Sequence, residues 1–82
     1  MKKLNVIGRQ VGRLRYQRGW TQEILAARLQ LAGWTISRSG VSKIESGLVY
    51  IPDFGLPCFA RLFGIGIEDL YPTPELPRPA RD

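Results

Sequence analysis

TQEILAARL (residues 21–29) and SRSGVSKIESG (residues 37–47) are the two stretches that decide the fold of this 82-residue chain. Each begins with a good helix N-cap residue, Thr21 in the first and Ser37 in the second. The hydroxyl of such a residue accepts a hydrogen bond from a backbone N–H of the first turn, which stabilises the start of a helix. The two stretches therefore predict two short helices joined by a turn.

The second of these helices is predicted to have two unlike faces. At about 100° per residue, its apolar side is expected to hold Val41, Ile44 and Leu48. The opposite side holds small polar and cationic residues, with Arg38 on one flank: Ser39, Ser42, Lys43 and Ser46. The helix should therefore bury a narrow apolar strip and present serines and two cations to solvent.

The first of these helices is expected to pack through Ile24, Leu25 and Leu29, and to run to Ala32 before stopping at Gly33. Glycine just past the last helical residue is a common stop signal, because it accepts the left-handed conformation there.

Another helix is predicted before this pair, over about residues 5–18, and it should end before Gly19. Its apolar positions follow helical spacing and are Ile7, Val11 and Leu14. Two glycines inside it, Gly8 and Gly12, either weaken the helix slightly or let another helix approach closely.

Two helices are predicted after the pair. The fourth should start near Leu56 with Pro57 at its first position, where the missing N–H of proline costs nothing. A short fifth helix is suggested by Ile67, Leu70 and Tyr71. The division is therefore a helical domain over residues 1–72 and a Pro-rich, flexible tail over residues 73–82.

Charge is unevenly distributed along the chain, whose net charge is +5. Residues 1–47 carry nine basic and two acidic residues, a net of +7, and residues 48–82 carry three basic and five acidic residues, a net of −2. A basic half favours a polyanionic partner, because neutralised phosphates release condensed counterions. Charge alone does not distinguish this from a solvated basic face without a partner.

Catalysis has few candidate residues in this sequence. The chain has no histidine and a single cysteine, Cys58, so it offers neither a thiol–imidazole pair nor a Cys/His metal cluster. The segments Gly8–Gly12 and Gly64–Gly66 lack the glycine spacing and the Lys-Ser/Thr ending of a phosphate-binding loop. We therefore expect no enzymatic activity, no catalytic residues, no metal and no cofactor.

The sequence also predicts where in the cell the protein is located. No apolar run approaches the roughly 20 residues that span a bilayer, and the N-terminus lacks the apolar region of a signal peptide. One cysteine cannot form an internal disulfide, which fits a reducing compartment. A cytoplasmic protein without a membrane partner is expected.

Several short motifs, in this order and spacing, resemble the Cro/C1-type, or XRE-like, helix-turn-helix regulators of bacteria and phages. The matching positions are Leu14-Arg15, Arg18-Gly19, Thr21-Gln22-Glu23, Leu25-Ala26, Ser37-Arg38-Ser39, Val41-Ser42-Lys43-Ile44-Glu45, Gly47, Ala60-Arg61-Leu62-Phe63-Gly64-Ile65 and Glu68-Asp69-Leu70-Tyr71. Together they cover about residues 6–71. The resemblance implies an all-α, lambda-repressor-like bundle of about five helices, with the third as the recognition helix.

The resemblance also implies roles for single residues. Gln22 would bond a backbone phosphate at the start of the second helix, and Arg15 would pair with Glu45 to tie the first helix to the third. The positions expected to contact DNA are Thr21, Gln22, Arg38, Ser39, Ser42, Lys43, Ser46 and Tyr50. Among these, Arg38 or Lys43 can donate to guanine, and the serines can bond several bases.

The chain departs from the family pattern at three places. About five additional residues, around Gln30–Trp34, lengthen the second helix or the turn after it, and Trp34 is expected to pack them onto the bundle. Gly40 either loosens the recognition helix or lets its backbone approach DNA closely. The loop Leu48–Ile51 lacks the expected basic residues and is a candidate partner surface, although its Tyr50 can reach a phosphate.

These observations favour a sequence-specific regulator of transcription, repressor-like, that binds double-stranded DNA through residues 37–46 in the major groove. Specific binding by so small a module suggests a homodimer on a palindromic operator. The alternative is a protein–protein interaction module on the same fold, such as an antitoxin-like adaptor with a protein partner. RNA binding is disfavoured by the lack of an aromatic stacking platform.

Overall fold

Four α-helices and one 3₁₀ helix lie within residues 2–72, which are the residues that the computed structural model describes. They are α1 (Gly8–Gln17), α2 (Gln22–Leu31), α3 (Arg38–Glu45), α4 (Gly55–Phe63) and the 3₁₀ helix (Ile67–Leu70). The all-α prediction is confirmed over these residues, but the fifth element is a single 3₁₀ turn and not an α-helix. The predicted tail, residues 73–82, lies outside the described residues.

The two predicted N-caps are present in the structure. The backbone N–H of Ile24 donates to Thr21 Oγ1 at 3.1 Å, and that of Gly40 donates to Ser37 Oγ at 3.1 Å. Each bond satisfies one of the N–H groups that the first turn of a helix leaves unpaired. The starts of α2 and α3 are therefore fixed by local sequence.

The predicted start of α1 was wrong by about three residues. Helix α1 begins at Gly8 because the carboxamide oxygen of Asn5 accepts hydrogen bonds from the backbone N–H groups of Ile7 (3.1 Å) and Gly8 (2.8 Å). Asn5 thus caps the helix from outside it, as asparagine commonly does before a first turn. The segment before α1 is consequently an arm and not a helical turn.

The predicted start of α4 was close to the observed one. Helix α4 begins at Gly55, so Pro57 is the third residue of its first turn. Proline is tolerated there, because the N–H groups of the first turn have no partner inside the helix.

Of the additional residues Gln30–Trp34, the first two extend α2, which ends at Leu31, and the other three lie in the turn between α2 and α3. Trp34 holds this turn on the bundle, as predicted: only 8% of it is exposed, and its ring meets Phe54 and Phe59 edge-on at centroid distances of 5.3 and 5.2 Å.

Two apolar residues were wrongly placed on buried faces. Ile24 is 40% exposed, and Ala26 fills the core in its place at 4% exposed. Leu48 is 46% exposed, because the chain turns at Gly47, whose φ of +75° ends the helical register that Leu48 was expected to follow. The error at Leu48 comes from extending the helical period past the end of α3, whereas Ile24 lies about 100° around the helix from Leu25, on the side away from Ala26.

The hydrophobic core lies where the helices converge. Helix α3 contacts α1 and α2, and α4 contacts α2 and the 3₁₀ helix. Every element contributes at least one fully buried side chain, and these include Val11, Leu25, Leu29, Val41, Phe59 and Leu70. None of the helices within residues 2–72 combines the length and the apolar character that crossing a bilayer requires.

Candidate nucleic-acid interface

Helix α3 presents a polar, cationic face to solvent. The exposed residues on and just beyond it are Arg38, Ser39, Lys43 and Ser46, and Ser42 is half-buried. Beneath this face, Val41 and Ile44 are 1% and 3% exposed. The face therefore combines donors with a rigid apolar base, which is the arrangement that direct base contacts require.

The orientation of α3 depends on Glu45. Arg15 of α1 donates to both carboxylate oxygens of Glu45, from Nε to Oε2 at 2.7 Å and from Nη2 to Oε1 at 3.2 Å. Arg15 also donates from Nη1 to the backbone oxygen of Trp20 at 2.7 Å. The two side chains are only 18% and 11% exposed, so this bidentate pair joins α1, the α1–α2 turn and α3 in a partly desolvated position.

Gln22 joins the same cluster. Its Nε2 donates to Glu45 Oε1 at 3.1 Å, so the first residue of α2 is tied to the last residue of α3. The resemblance assigns Gln22 to a phosphate, whereas in the structure the side chain contacts a carboxylate. An amide nitrogen has two hydrogens, so this bond leaves one donor for an anion.

Glycines in α1 allow α3 to come this close. A Cβ atom at Gly8 would overlap the backbone oxygen of Ile44, and one at Gly12 would lie 3.2 Å from Glu45 Oε1. Of the two explanations that the sequence allowed for these glycines, close helix approach is therefore correct.

An asparagine outside the helices also holds α3, and sequence reasoning missed it. Asn5 Nδ2 donates to the backbone oxygens of Ile44 at 3.2 Å and Val49 at 2.9 Å, while its oxygen caps α1. The signal that was available is an asparagine three residues before Gly8, at a typical N-cap distance. Its contact with α3, about 40 residues away, has no signal in a single sequence.

Gly40 packs against the turn that precedes α3. A Cβ atom there would lie 2.7 Å from Ile36 Cγ1, and Gly40 itself is half-buried. The absence of a side chain is therefore explained by Ile36 within the domain, so no close approach of DNA is needed to explain this glycine.

The remaining predicted positions lie outside α3. Thr21 is exposed and its hydroxyl accepts the capping bond, and Tyr50, 73% exposed, lies in the loop after α3. That loop also exposes Leu48, while Val49 and Ile51 are partly buried against the core. Only half of the predicted apolar partner surface is therefore available on the outside.

Two cations of the basic half bind within the domain. Arg18 lies over the ring of Phe63 at 4.9 Å and donates from Nη2 to the backbone oxygen of Phe63 near the end of α4. Arg28 lies over the ring of Trp20 at 4.3 Å. These arginines have a structural role through cation–π contacts, so fewer side chains of the basic half are free to reach a partner, while their charges remain.

Residues that hold metals or carry out chemistry are sparse in the described part of the chain. No cluster of three or more His, Cys, Asp or Glu residues that could hold a metal ion is found among residues 2–72. Burial raises the pKa of the Cys58 thiol, against a smaller opposite effect from Arg61, so this thiol is protonated at neutral pH.

A known family model matches most of this chain. The model of a family described as a helix-turn-helix domain matches residues 6–68, which is more than half of the chain. Searches of curated proteins and of solved structures give no significant match. The matched region contains α1 to α4, with the capped α2–α3 pair at its centre, and the chain belongs to this helix-turn-helix family.

Proposed function

We propose that this chain is a sequence-specific regulator of transcription of the Cro/C1 type, which acts by occupying double-stranded DNA. The observation that carries the proposal is the exposed face of α3, with Arg38, Ser39 and Lys43 in solvent above a buried apolar strip. A helix fits the major groove, where arginine and lysine donate to guanine and serine bonds several bases.

Positioning on the duplex would come from the start of α2. Its first turn offers the backbone N–H groups of a helix N-terminus, together with the Thr21 hydroxyl and the second amide hydrogen of Gln22. Because Gln22 is bonded to Glu45, a phosphate bound at Gln22 would fix α3 in register with the backbone. The Glu45 carboxylate would thus link the phosphate contact of Gln22 to the base contacts of α3.

Two copies of the chain would be needed for tight binding. Single modules bury only about 600–1,000 Å² of protein surface on DNA, so we propose a homodimer on a palindrome whose half-sites are about one helical turn apart. The mechanism is occupancy, and neither a catalytic step nor a cofactor enters it.

A second function is favoured by the apolar side chains near the end of α3. Tyr50 is 73% exposed and Leu48 is 46% exposed, in a loop where the resemblance leads us to expect cations. A protein–protein interaction module on the same fold would use this loop.

The test begins with selection of bound duplexes from a random-sequence DNA library. Fluorescence anisotropy at about 150 mM salt should then show at least about 10³-fold tighter binding to the selected duplex than to a shuffled one. Equal, weak and salt-labile binding to both would mean charge attraction alone and would favour the protein-partner alternative.

The contacts of α3 are tested by Arg38→Ala with Lys43→Ala. Both side chains are exposed, so the double variant should remain folded and lose about 30-fold or more in affinity for the selected duplex. Arg61→Glu is the control, because it changes the net charge by the same two units at an exposed position of α4, away from α3. Full affinity in the double variant would contradict the assignment of this face.

A further inference from the structure

Two cations lie near the C-terminal end of α3 without belonging to it. Lys3 is on the arm that precedes α1, Arg9 is in the first turn of α1, and both are exposed. Lys3 and Arg9 line the same shallow cavity, together with Gly47 and Glu45. The carboxylate in this cavity is already paired with Arg15, so it does not cancel the two cations.

The arm is fixed to α3, although it is about 40 residues away along the chain. The backbone N–H of Leu4 donates to the oxygen of Gly47 at 2.8 Å, and Lys3 Nζ donates to the oxygen of Ser46 at 2.9 Å. Asn5 adds the two bonds to Ile44 and Val49 described above. A flexible chain segment would not hold a lysine in place, but these bonds give the arm a defined position beside the recognition helix.

The sequence after α3 supplies no positive charge of its own. Between Ser46 and Arg61 there is no basic residue, and Asp53 is acidic. Apart from Lys43 in the last turn of α3 itself, the cations that a phosphate meets at this end of α3 therefore come from the arm and from α1. A lysine ammonium has three donors, and Lys3 uses one of them on Ser46, which leaves two for an anion.

We propose that Lys3 and Arg9 form a phosphate-binding site for the DNA backbone at the C-terminal end of α3. The site rests on the proposed function, since it requires α3 to lie against a duplex. It takes the place of the cations that the loop Leu48–Ile51 lacks. Its contribution is to affinity, because phosphates carry no base sequence.

The test measures the salt dependence of binding to a labelled selected duplex and to a shuffled duplex, between about 50 and 200 mM salt. Each phosphate contact contributes about 0.9 to the slope of log affinity against log salt. Lys3→Gln with Arg9→Gln should make the slope shallower by about 1–2 on both duplexes and leave their affinity ratio unchanged. Arg61→Glu, with the same change in net charge, should leave the slope within about 0.5 of wild type.

Equal slope changes in the double variant and in Arg61→Glu would overturn the site, because only net charge would then matter. A changed affinity ratio between the duplexes would also overturn it, because the residues would then contact bases. If wild type binds both duplexes equally, the proposed function fails, while the slope on the shuffled duplex still reports phosphate contacts at Lys3 and Arg9.

Anchoring of the arm is tested by Asn5→Ala, which retains every cation. Loss of the bonds to Ile44 and Val49 should release the arm and make the slope shallower by about 1, in a protein that thermal unfolding shows to be folded. A wild-type slope in folded Asn5→Ala would overturn the role of anchoring.

Discussion

The bundle has two junctions that are built from different chemistry. The polar junction joins α1 to α3 and consists of Gly8, Gly12, Arg15, Gln22 and Glu45, with helix backbones in contact and a shared carboxylate. The aromatic junction lies around α4 and consists of Trp20, Trp34, Phe54, Phe59 and Phe63, with ring centroids 5.2–6.2 Å apart. The hydrogen bonds of the polar junction are directional, whereas the aromatic junction is a packed apolar layer.

This difference assigns orientation to one junction and stability to the other. Burying a large aromatic side chain contributes several kcal/mol with little dependence on angle. A hydrogen bond contributes about 1 kcal/mol net but requires a defined distance and angle. The face of α3 should therefore be held in place by the polar junction on a bundle whose stability comes mainly from the aromatic one.

Phe59→Ala should have the largest effect on stability. Phe59 is fully buried between Trp34 and Phe63, so its removal leaves a cavity and should lower the free energy of unfolding by about 3–5 kcal/mol. Such a loss is a large part of the stability of a small domain. Urea denaturation followed by tryptophan fluorescence measures it, and amide exchange should rise in all helices together.

Phe54→Ala is the matched control for this prediction. The same side chain is removed from the same ring of Trp34, but Phe54 is 53% exposed, so the loss should be about 1 kcal/mol. Similar losses at the two positions would contradict the view that buried area in the aromatic junction stabilises the bundle.

Glu45→Ala should affect orientation more than stability. The substitution leaves the Arg15 guanidinium and the Gln22 amide without their shared acceptor. The Arg15 side chain is less than one fifth exposed. We expect a loss of about 1–3 kcal/mol in unfolding free energy. We also expect faster amide exchange in α3 than in α4, because α3 loses its attachment while the aromatic junction remains.

Glu68→Ala makes the same change in charge at an exposed position of the 3₁₀ helix and serves as the control. If Glu45→Ala accelerates exchange equally in α3 and α4, the two junctions do not have separate roles.

Local sequence predicted the elements of this fold and the face of α3. Thr21 and Ser37 fix helix starts through bonds within three residues, and the position of Val41 and Ile44 follows from the helical period. Such signals act inside one turn, so a single sequence contains them. The period failed at Leu48, which lies beyond the end of α3, and the prediction for Ile24 was wrong because this residue lies about 100° around the helix from Leu25.

The contacts that position α3 were only partly predictable. The pairing of Arg15 with Glu45 came from family resemblance, whereas the bond from Gln22 to Glu45 and both bonds from Asn5 to the end of α3 had no sequence signal. These contacts join residues 23 to 44 positions apart. They depend on how the helices cross, which the pattern along any one helix does not specify.

Gly40→Ala should have the smallest effect, and it tests whether the turn before α3 also restrains the helix. Alanine favours a helix over glycine by about 1 kcal/mol, but its Cβ atom would press on Ile36 Cγ1, so the two effects oppose each other. We expect a change of less than about 1 kcal/mol in the free energy of unfolding.

In an Ile36→Ala background the contact is gone, and the same substitution at Gly40 should stabilise by up to about 1 kcal/mol. A double-mutant cycle from urea denaturation measures this coupling. If Gly40→Ala stabilises equally in both backgrounds, Ile36 does not restrain α3, and the polar junction together with the bonds from Asn5 would set its position.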